Sequence, residues 1–432
     1  MKKRMASLFS VIFFLGSSAL AQTDIFVKGS GKLFPIAVPQ LCLAFGATSA
    51  AKDIPRIIGR DLDLSGYFEV LDPGTYIETP GKCAEAENFA YSDWSIIGAE
   101  GLVRGTVSYD GIKVTAKLYL HDVQRQKVVL GKEYEGDGSQ IARIAHKFAN
   151  EIMRFFTGEP GVFGTQIAFS SKVGRFKELF VMDMDGSNIR QITNDKALSM
   201  AASWHPGGRI LVYTSYRQRL PQLFQIDLSE RRPIPITRPG LLDLGAKFSR
   251  LGNRLLVSHT EGNDSDIVLM DLKGTIIRRL TKPNQAIDVS PDFSPDESRI
   301  VFCSNRGGNP QIYTMDIDGS NVKRISFATS NYCTSPKWSP KGDKIAYVCR
   351  ADGGFQIFTA NPDGSEAMQL TSIGNNEDPD WSPDGRYLVF GTTFGKGYVT
   401  SLAMMRADGS SMRQLTSSRI GDSEPAWGPV VD

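Results

Sequence analysis

Histidine is nearly missing from this chain: only His121, His146, His205 and His259 occur in 432 residues. His205 stands where a repeated turn has serine elsewhere, and the others share no common spacing. A catalytic metal centre wants three or more nitrogen and oxygen ligands converging on one point, and these four do not supply them. No metal and no cofactor are expected. Other signatures are absent as well. No Gly-x-Ser-x-Gly elbow is present, which excludes a peptidase of the propeller-gated serine class. No Gly-x-x-x-x-Gly-Lys-Ser/Thr loop is present to cradle phosphate. Asp183-x-Asp185-Gly186 and Asp316-x-Asp318-Gly319 have the wrong glycine position for a calcium loop and read as strand-to-strand turns. No catalytic constellation is left, so a non-enzyme is expected.

An excess of one charge is also lacking. Lys and Arg total 49 against 47 Asp and Glu, a formal +2, and no basic block is interleaved with aromatics. That balance argues against a nucleic-acid partner. Long apolar runs are scarce too. The N-terminal one, Leu8 to Leu15, is too short to span a bilayer comfortably. With Lys2, Lys3 and Arg4 before it and Ala19-Leu20-Ala21 after it, residues 1–21 read as a secretory signal cleaved after Ala21. The mature chain is then exported, with a net charge near −1. Cysteine is sparse and odd in number: Cys42, Cys83, Cys303, Cys333 and Cys349. A pair such as Cys42 with Cys83 could bond in an oxidising compartment, while the odd count favours buried free thiols.

What is plentiful is repetition. Imperfect copies of Asp380-Trp381-Ser382-Pro383-Asp384-Gly385 centre on Trp204, Phe248, Phe293, Trp338, Trp381 and Trp427, spaced 44, 45, 45, 43 and 46 residues apart. A second marker keeps the same beat: Ile192-Thr193, Ile236-Thr237, Leu280-Thr281, Ile325-Ser326, Leu370-Thr371 and Leu415-Thr416. Each unit holds four short strand-like runs, with Pro and Gly fitting the turn after the aromatic. Four strands in about 45 residues is a β-propeller blade. The first unit begins at its second strand, near Gln166, and Ala426-Trp427 supplies the missing first strand. The fold expected is a six-bladed, four-stranded β-propeller over 163–432, closed by its C-terminal strand and leaving no long open edge.

Residues 33–157 lack the repeat and read as a small α/β domain. A helix is expected over Asp53 to Leu64, then strands over Gly101–Tyr109, Ile112–Val123 and Lys127–Glu135, the first two joined at Asp110-Gly111. Ser139 is expected to cap a last helix whose inner face is Ile141, Ile144, Ala145, Phe148, Ile152 and Phe155. Residues 22–32 form a polar, glycine-punctuated leader. Its apolar patch around Asp24, Ile25, Phe26 and Val27 is either an added strand or a docking peptide for a partner.

Several motifs fix a resemblance. They are Ile36-Ala37-Val38-Pro39, Asp61-Leu62 with Ser65-Gly66-Tyr67-Phe68, Trp94 with Gly98-Ala99-Glu100-Gly101-Leu102-Val103, and Thr157-Gly158-Glu159-Pro160-Gly161-Val162-Phe163. With the signal and the repeat, the chain resembles the TolB family, soluble periplasmic components of the Tol–Pal envelope system. The resemblance covers essentially the whole mature chain. It implies a periplasmic, monomeric scaffold, peripheral to membranes through its partners. One end of the propeller would bind the peptidoglycan-associated lipoprotein (Pal), and the leader would dock on TolA of the inner-membrane TolA/Q/R complex. The implied roles are outer-membrane integrity, constriction at cell division and a use in protein import.

The loops entering the innermost strands form one equivalent class and should line one face together. The contacts expected there are Met200, Leu242, Leu244, Asp288, Ser290, Tyr332, Glu377, Asp378, Asp422 and Glu424. This mixture of acidic and apolar groups suits a peptide or protein better than a sugar, although plain solvated turns would read the same way. Leu242 and Leu244 replace the polar residues expected beside Phe248, and Ser229-Glu230-Arg231-Arg232 replaces an Asp-Gly turn. Partner contacts there depart from the family pattern. Two other classes remain in competition: a sugar-processing lyase using the channel, and a free-standing peptide-binding propeller.

Overall fold

A computed structural model describes residues 33–46, 49–77, 89–240, 242–262, 264–282, 286–327, 330–351, 354–394, 399–417 and 421–431. The signal, the leader and Cys83 lie outside these residues. Among the described residues, no helix is long and apolar enough to cross a membrane.

The N-terminal domain is a mixed sheet covered by helices. Its strands are β1 (Phe34–Ala37), β2 (Cys42–Phe45), β3 (Phe68–Val70), β4 (Gly101–Tyr109), β5 (Lys113–Asp122) and β6 (Lys127–Asp137), ordered β3-β1-β4-β5-β6 with β2 also on β4. β1 pairs in parallel with both β3 and β4, whereas β4, β5 and β6 form an antiparallel meander. Helix α1 (Ala50–Ser65) buries Ile54, Ile58 and Leu62, and Gly66 ends it with φ +69°. A short helix α2 (Tyr91–Ile96) buries Trp94. Helix α3 (Ile141–Thr157) buries Ile144, Ala145, Phe148, Ile152, Met153 and Phe156.

Two expectations need correction here. Phe155 is 38% exposed and Phe156 takes the inner place, because the 3.6-residue turn carries the buried stripe from Ile152 to Phe156 rather than to Phe155. Ser139 does not cap α3. Asp137 caps a leading 3-10 turn, accepting from the Ser139 amide at 2.8 Å, and Gln140 reaches back to complete a capping box.

The propeller has six four-stranded sheets. Blade one combines Asp422–Trp427 with Gln166–Val173, Phe176–Asp183 and Arg190–Gln191, so the C-terminal strand closes the ring. The innermost strands of blades two to six are Ser199–Trp204, Leu242–Phe248, Asp288–Phe293, Cys333–Trp338 and Asn376–Trp381. Both sequence markers have a physical cause. After Trp381, the Gly385 amide donates to the Ser382 carbonyl at 2.9 Å with φ +68°, and the Ser382 hydroxyl accepts from the Tyr387 amide at 3.0 Å. The turn is thus closed twice. The indole N–H of Trp204 reaches the Ala426 carbonyl of the preceding blade at 2.9 Å, and that of Trp381 reaches the Lys337 carbonyl at 3.1 Å. Trp204 and Trp381 therefore bolt neighbouring blades together, while the Trp338 indole turns to Gly342 of its own blade at 3.4 Å. The hydroxyls of Thr193, Thr237, Thr281, Ser326, Thr371 and Thr416 each accept a third-strand amide that the short fourth strand leaves unpaired, at 2.8 to 3.1 Å.

The domains share one apolar cluster, in which Phe148 and Ile152 belong with Ile167, Tyr387, Met404 and Trp427. Polar ties frame it. The Tyr387 hydroxyl donates to the Ser65 carbonyl at 3.0 Å, Arg413 meets Asp63 at 2.6 Å and Arg60 meets Asp185 at 2.9 Å. Arg386 donates to the Thr157 hydroxyl at 2.7 Å and the Pro160 carbonyl at 3.2 Å, which pins the connecting segment to blade six.

The cysteines depart from the free-thiol reading. Cys333 and Cys349 form a disulfide between paired positions of adjacent strands, and Cys42 is also disulfide-bonded. Cys303 is a buried free thiol.

Candidate partner-binding face

Each innermost strand begins at the same end of the channel and carries a bulge in the same place, marked by a register shift against the second strand. The bulge puts Ala201, Gly245, Ser290, Ser335, Asp378 and Glu424 at φ between +51° and +54°. Only one of the six is glycine. Left-handed backbone at a residue with a Cβ costs about 1 kcal/mol or more, and such strain persists where the surroundings over-determine it, often at binding sites. Bulges also re-aim side chains. Here they create a ring of six equivalent residues that lines a mouth cavity of about 320 Å³. A second cavity of about 510 Å³ opens at the far end, walled by the marker aromatics. The N-terminal domain rests on that far end, against Tyr387, Trp427 and the Asp185 turn. Among the described residues, those lining the mouth all belong to the propeller.

The expected contacts divide into two groups. Met200, Ser290, Asp378 and Glu424 line the mouth. Leu242, Leu244 and Glu377 are half-buried at the strand starts, and Tyr332 is 37% exposed with its ring against Phe355 at 5.9 Å. Asp288 and Asp422 are different, because both are buried within the blades. Asp288 binds Arg306 at 2.9 Å, so it stiffens the face and does not present a carboxylate to a partner. Asp24, Ile25, Phe26 and Val27 lie outside the described residues.

Electrostatics at the rim are acidic and partly suppressed. Burial, then Asp378, raises the carboxyl of Glu377 above the usual range. Burial and Asp378 likewise raise Glu424, although Lys177 at 3.6 Å and the Ala201 amide at 2.7 Å oppose the shift. The Ser335 hydroxyl donates to Asp378 at 2.9 Å. This arrangement holds oriented carboxylates beside apolar side chains. Among the described residues, no group of three or more His, Cys, Asp and Glu is placed to hold a metal ion.

Sequence reasoning missed Ala201, Gly245, Ser335 and the deeper Lys247 and Lys337. Their signal was available, because they keep the same 44, 45, 45, 43 and 46 beat as the aromatics. Stacking the repeats by position would have shown one ring and then another.

Comparison with known proteins agrees with this geometry. Residues 153–431 match the TolB beta propeller domain, and residues 24–129 match the TolB amino-terminal domain. A Tol-Pal system protein TolB of Anaeromyxobacter dehalogenans is 35% identical over 257 residues, 60% of this chain and 59% of that protein. One from Desulfosudis oleivorans is 32% identical over 289 residues, 65% of this chain and 66% of that protein. The matched stretch thus spans about three-fifths of these curated relatives. The crystal structure of TolB from Acinetobacter baumannii superposes with a TM-score of 0.79 at 26% identity, covering 92% of this chain and 97% of that one. By its propeller, its N-terminal domain and their joint arrangement, the chain belongs to the TolB family.

Proposed function

We propose that this protein is a periplasmic scaffold of a Tol–Pal system, joining an outer-membrane lipoprotein of the Pal type to TolA and, through it, to the inner-membrane complex. The reading draws on the relatives named as Tol-Pal system proteins. One observation carries it to a place on this molecule: the ring of left-handed residues at the open end of the channel. That face is pocketed, mixes acidic and apolar groups, and among the described residues is lined by the propeller alone. These are properties of a surface that receives a protein loop.

In this reading the protein acts by binding alone. The lipoprotein sits on the propeller mouth, through residues such as Met200, Ser290, Tyr332, Glu377, Asp378 and Glu424. The leader around Asp24 to Val27 engages TolA. Occupation of one site changes the availability of the other, and any such coupling is reciprocal. The cellular roles are maintenance of the outer membrane, support of constriction at division and a route usable for protein import. A pull-down compares the mature chain from Gln22 with one starting at Phe34. Capture of both partners by the first, and loss of TolA alone by the second, supports the two-site scaffold. Turnover of a glycan or peptide without retention of either partner contradicts it.

A further inference from the structure

Two positions beyond the ring, each innermost strand turns another side chain to the channel: Ser203, Lys247, Asp292, Lys337, Asp380 and Ala426. Blades three to six thus present Lys, Asp, Lys, Asp in succession. Both aspartates already have fixed partners. Asp292 accepts the Trp338 amide at 2.9 Å, and Asp380 accepts the Trp427 amide at 2.8 Å. The other Asp380 oxygen lies 3.8 Å from the Lys247 ammonium. Lys337 differs from these three. No carboxylate lies within ion-pairing distance of its amine among the described residues, and it faces the mouth cavity and not the aromatic end.

We propose that Lys337 forms the floor of a carboxylate subsite in the mouth, which receives an aspartate or glutamate side chain from the tip of a partner loop. This deepens the scaffold reading and rests on it. The rim and floor differ in sign: Asp378 and Glu424 lie above, Lys337 and Lys247 below. A fitting loop therefore carries its acidic residue at the tip and a basic residue at its shoulder, to meet the rim. The reverse order places like charges together at both levels, which selects against it.

The charge states support the assignment. Burial first, and then the charge of Lys247, hold the Lys337 amine below the ordinary lysine range, while Asp380 and Asp292 pull the other way. Lys247 is half-buried and desolvated as well, but Asp380 and Asp292 outweigh that and raise it. Lys337 is thus hydrogen-bonded side chain to side chain with Lys247, with Asp380 and Asp292 beyond ion-pairing distance, and has no carboxylate of its own among the described residues. A carboxylate brought within reach favours the protonated amine, so binding takes up a proton when the pH exceeds the free amine's value.

The test is calorimetric titration of the mature wild-type chain with the soluble domain of the peptidoglycan-associated lipoprotein. It is run between pH 8 and 10 in buffers of different ionisation enthalpy, with Lys337→Met and Lys337→Gln alongside. Thermal unfolding of both variants checks that they fold. The expected result is proton uptake by wild type, its loss in both variants, and affinity reduced by roughly tenfold or more. Wild-type affinity in folded variants, with no proton uptake by wild type, overturns the subsite and leaves the scaffold reading standing. Failure of wild type to bind the lipoprotein overturns both.

Discussion

Asp243 and His259 face each other across the first two strands of blade three, with Oδ1 and Nδ1 2.7 Å apart and both side chains buried. Asp243 belongs to a rung of six equivalent buried residues at the mouth, with Ser199, Asp288, Cys333, Asn376 and Asp422. Different chemistry fastens different blades there. Asp288 uses Arg306, Cys333 is bonded to Cys349, and Asn376 donates to Gln356 at 2.9 Å. The binding face is thus braced one layer beneath its surface.

Removing the imidazole from this pair leaves a buried carboxylate whose other oxygen already lacks a partner. His259→Ala should lower stability by about 3 kcal/mol or more, since an uncompensated buried charge is costly. Urea unfolding measures it. A loss under about 0.5 kcal/mol would show that the pair does not brace the blade.

The disulfide in blade five closes a loop between residues 16 apart in sequence. Its removal in a Cys333→Ala, Cys349→Ala double variant should cost about 3 kcal/mol. Cys303 packs in the same cluster, and burial pushes its thiol up to about 12. It should resist alkylation at pH 8 in the folded protein and react once unfolded. Rapid labelling of the native protein contradicts this placement.

At the domain boundary His146 binds Asp61 at 2.7 Å. Burial works against the imidazolium, but the Asp61 hydrogen bond and the charges of Asp61, Asp183 and Asp185 outweigh it and raise His146 above 6.5. A raised histidine stabilises fully below the unfolded value and loses that stabilisation as pH rises through the folded one. Burial also raises Asp61, with the same sign but from the lower carboxylate range. His121, which burial and Arg104 lower to about 4, acts oppositely and only below 6.5. The unfolding temperature should therefore fall as pH rises above 6.5, and His146→Gln should flatten that slope. An unchanged slope in the variant refutes the assignment.

Trp427 joins ring closure to domain packing. Its amide donates to Asp380 at 2.8 Å, its indole N–H donates to Thr165 at 2.9 Å, and its ring stacks on Tyr387. Trp427→Ala should cost about 3 to 5 kcal/mol and should raise protease sensitivity in the 157–161 connection. Cleavage of that segment at the wild-type rate would mean that closure and docking are independent.

Much of the architecture was legible because it is periodic. The Trp and Thr markers recur where a blade bolt or an orphaned amide demands them, so blade number and closure followed from spacing. The face was legible only as a set of loops. Asp288 and Asp422 sit beside Ser290 and Glu424 in sequence, yet they point into the blade, because strand side chains alternate and the bulge then breaks that alternation. Lys247 and Lys337 were overlooked because a lysine beside an aromatic reads as a solvated position. Only the closed ring brings them to a shared channel. The Cys333–Cys349 bond was hidden for a related reason, since pairing across two strands is set by register and not by count.

The most direct test is hydrogen–deuterium exchange of the mature chain with and without the soluble lipoprotein domain. The account predicts protection at the starts of the innermost strands, around Met200, Leu244, Ser290, Thr334, Asp378 and Glu424, with the Ser-Pro-Asp-Gly turns unchanged. Protection confined to those turns or to the N-terminal domain would place the partner elsewhere and contradict the mouth as the binding face.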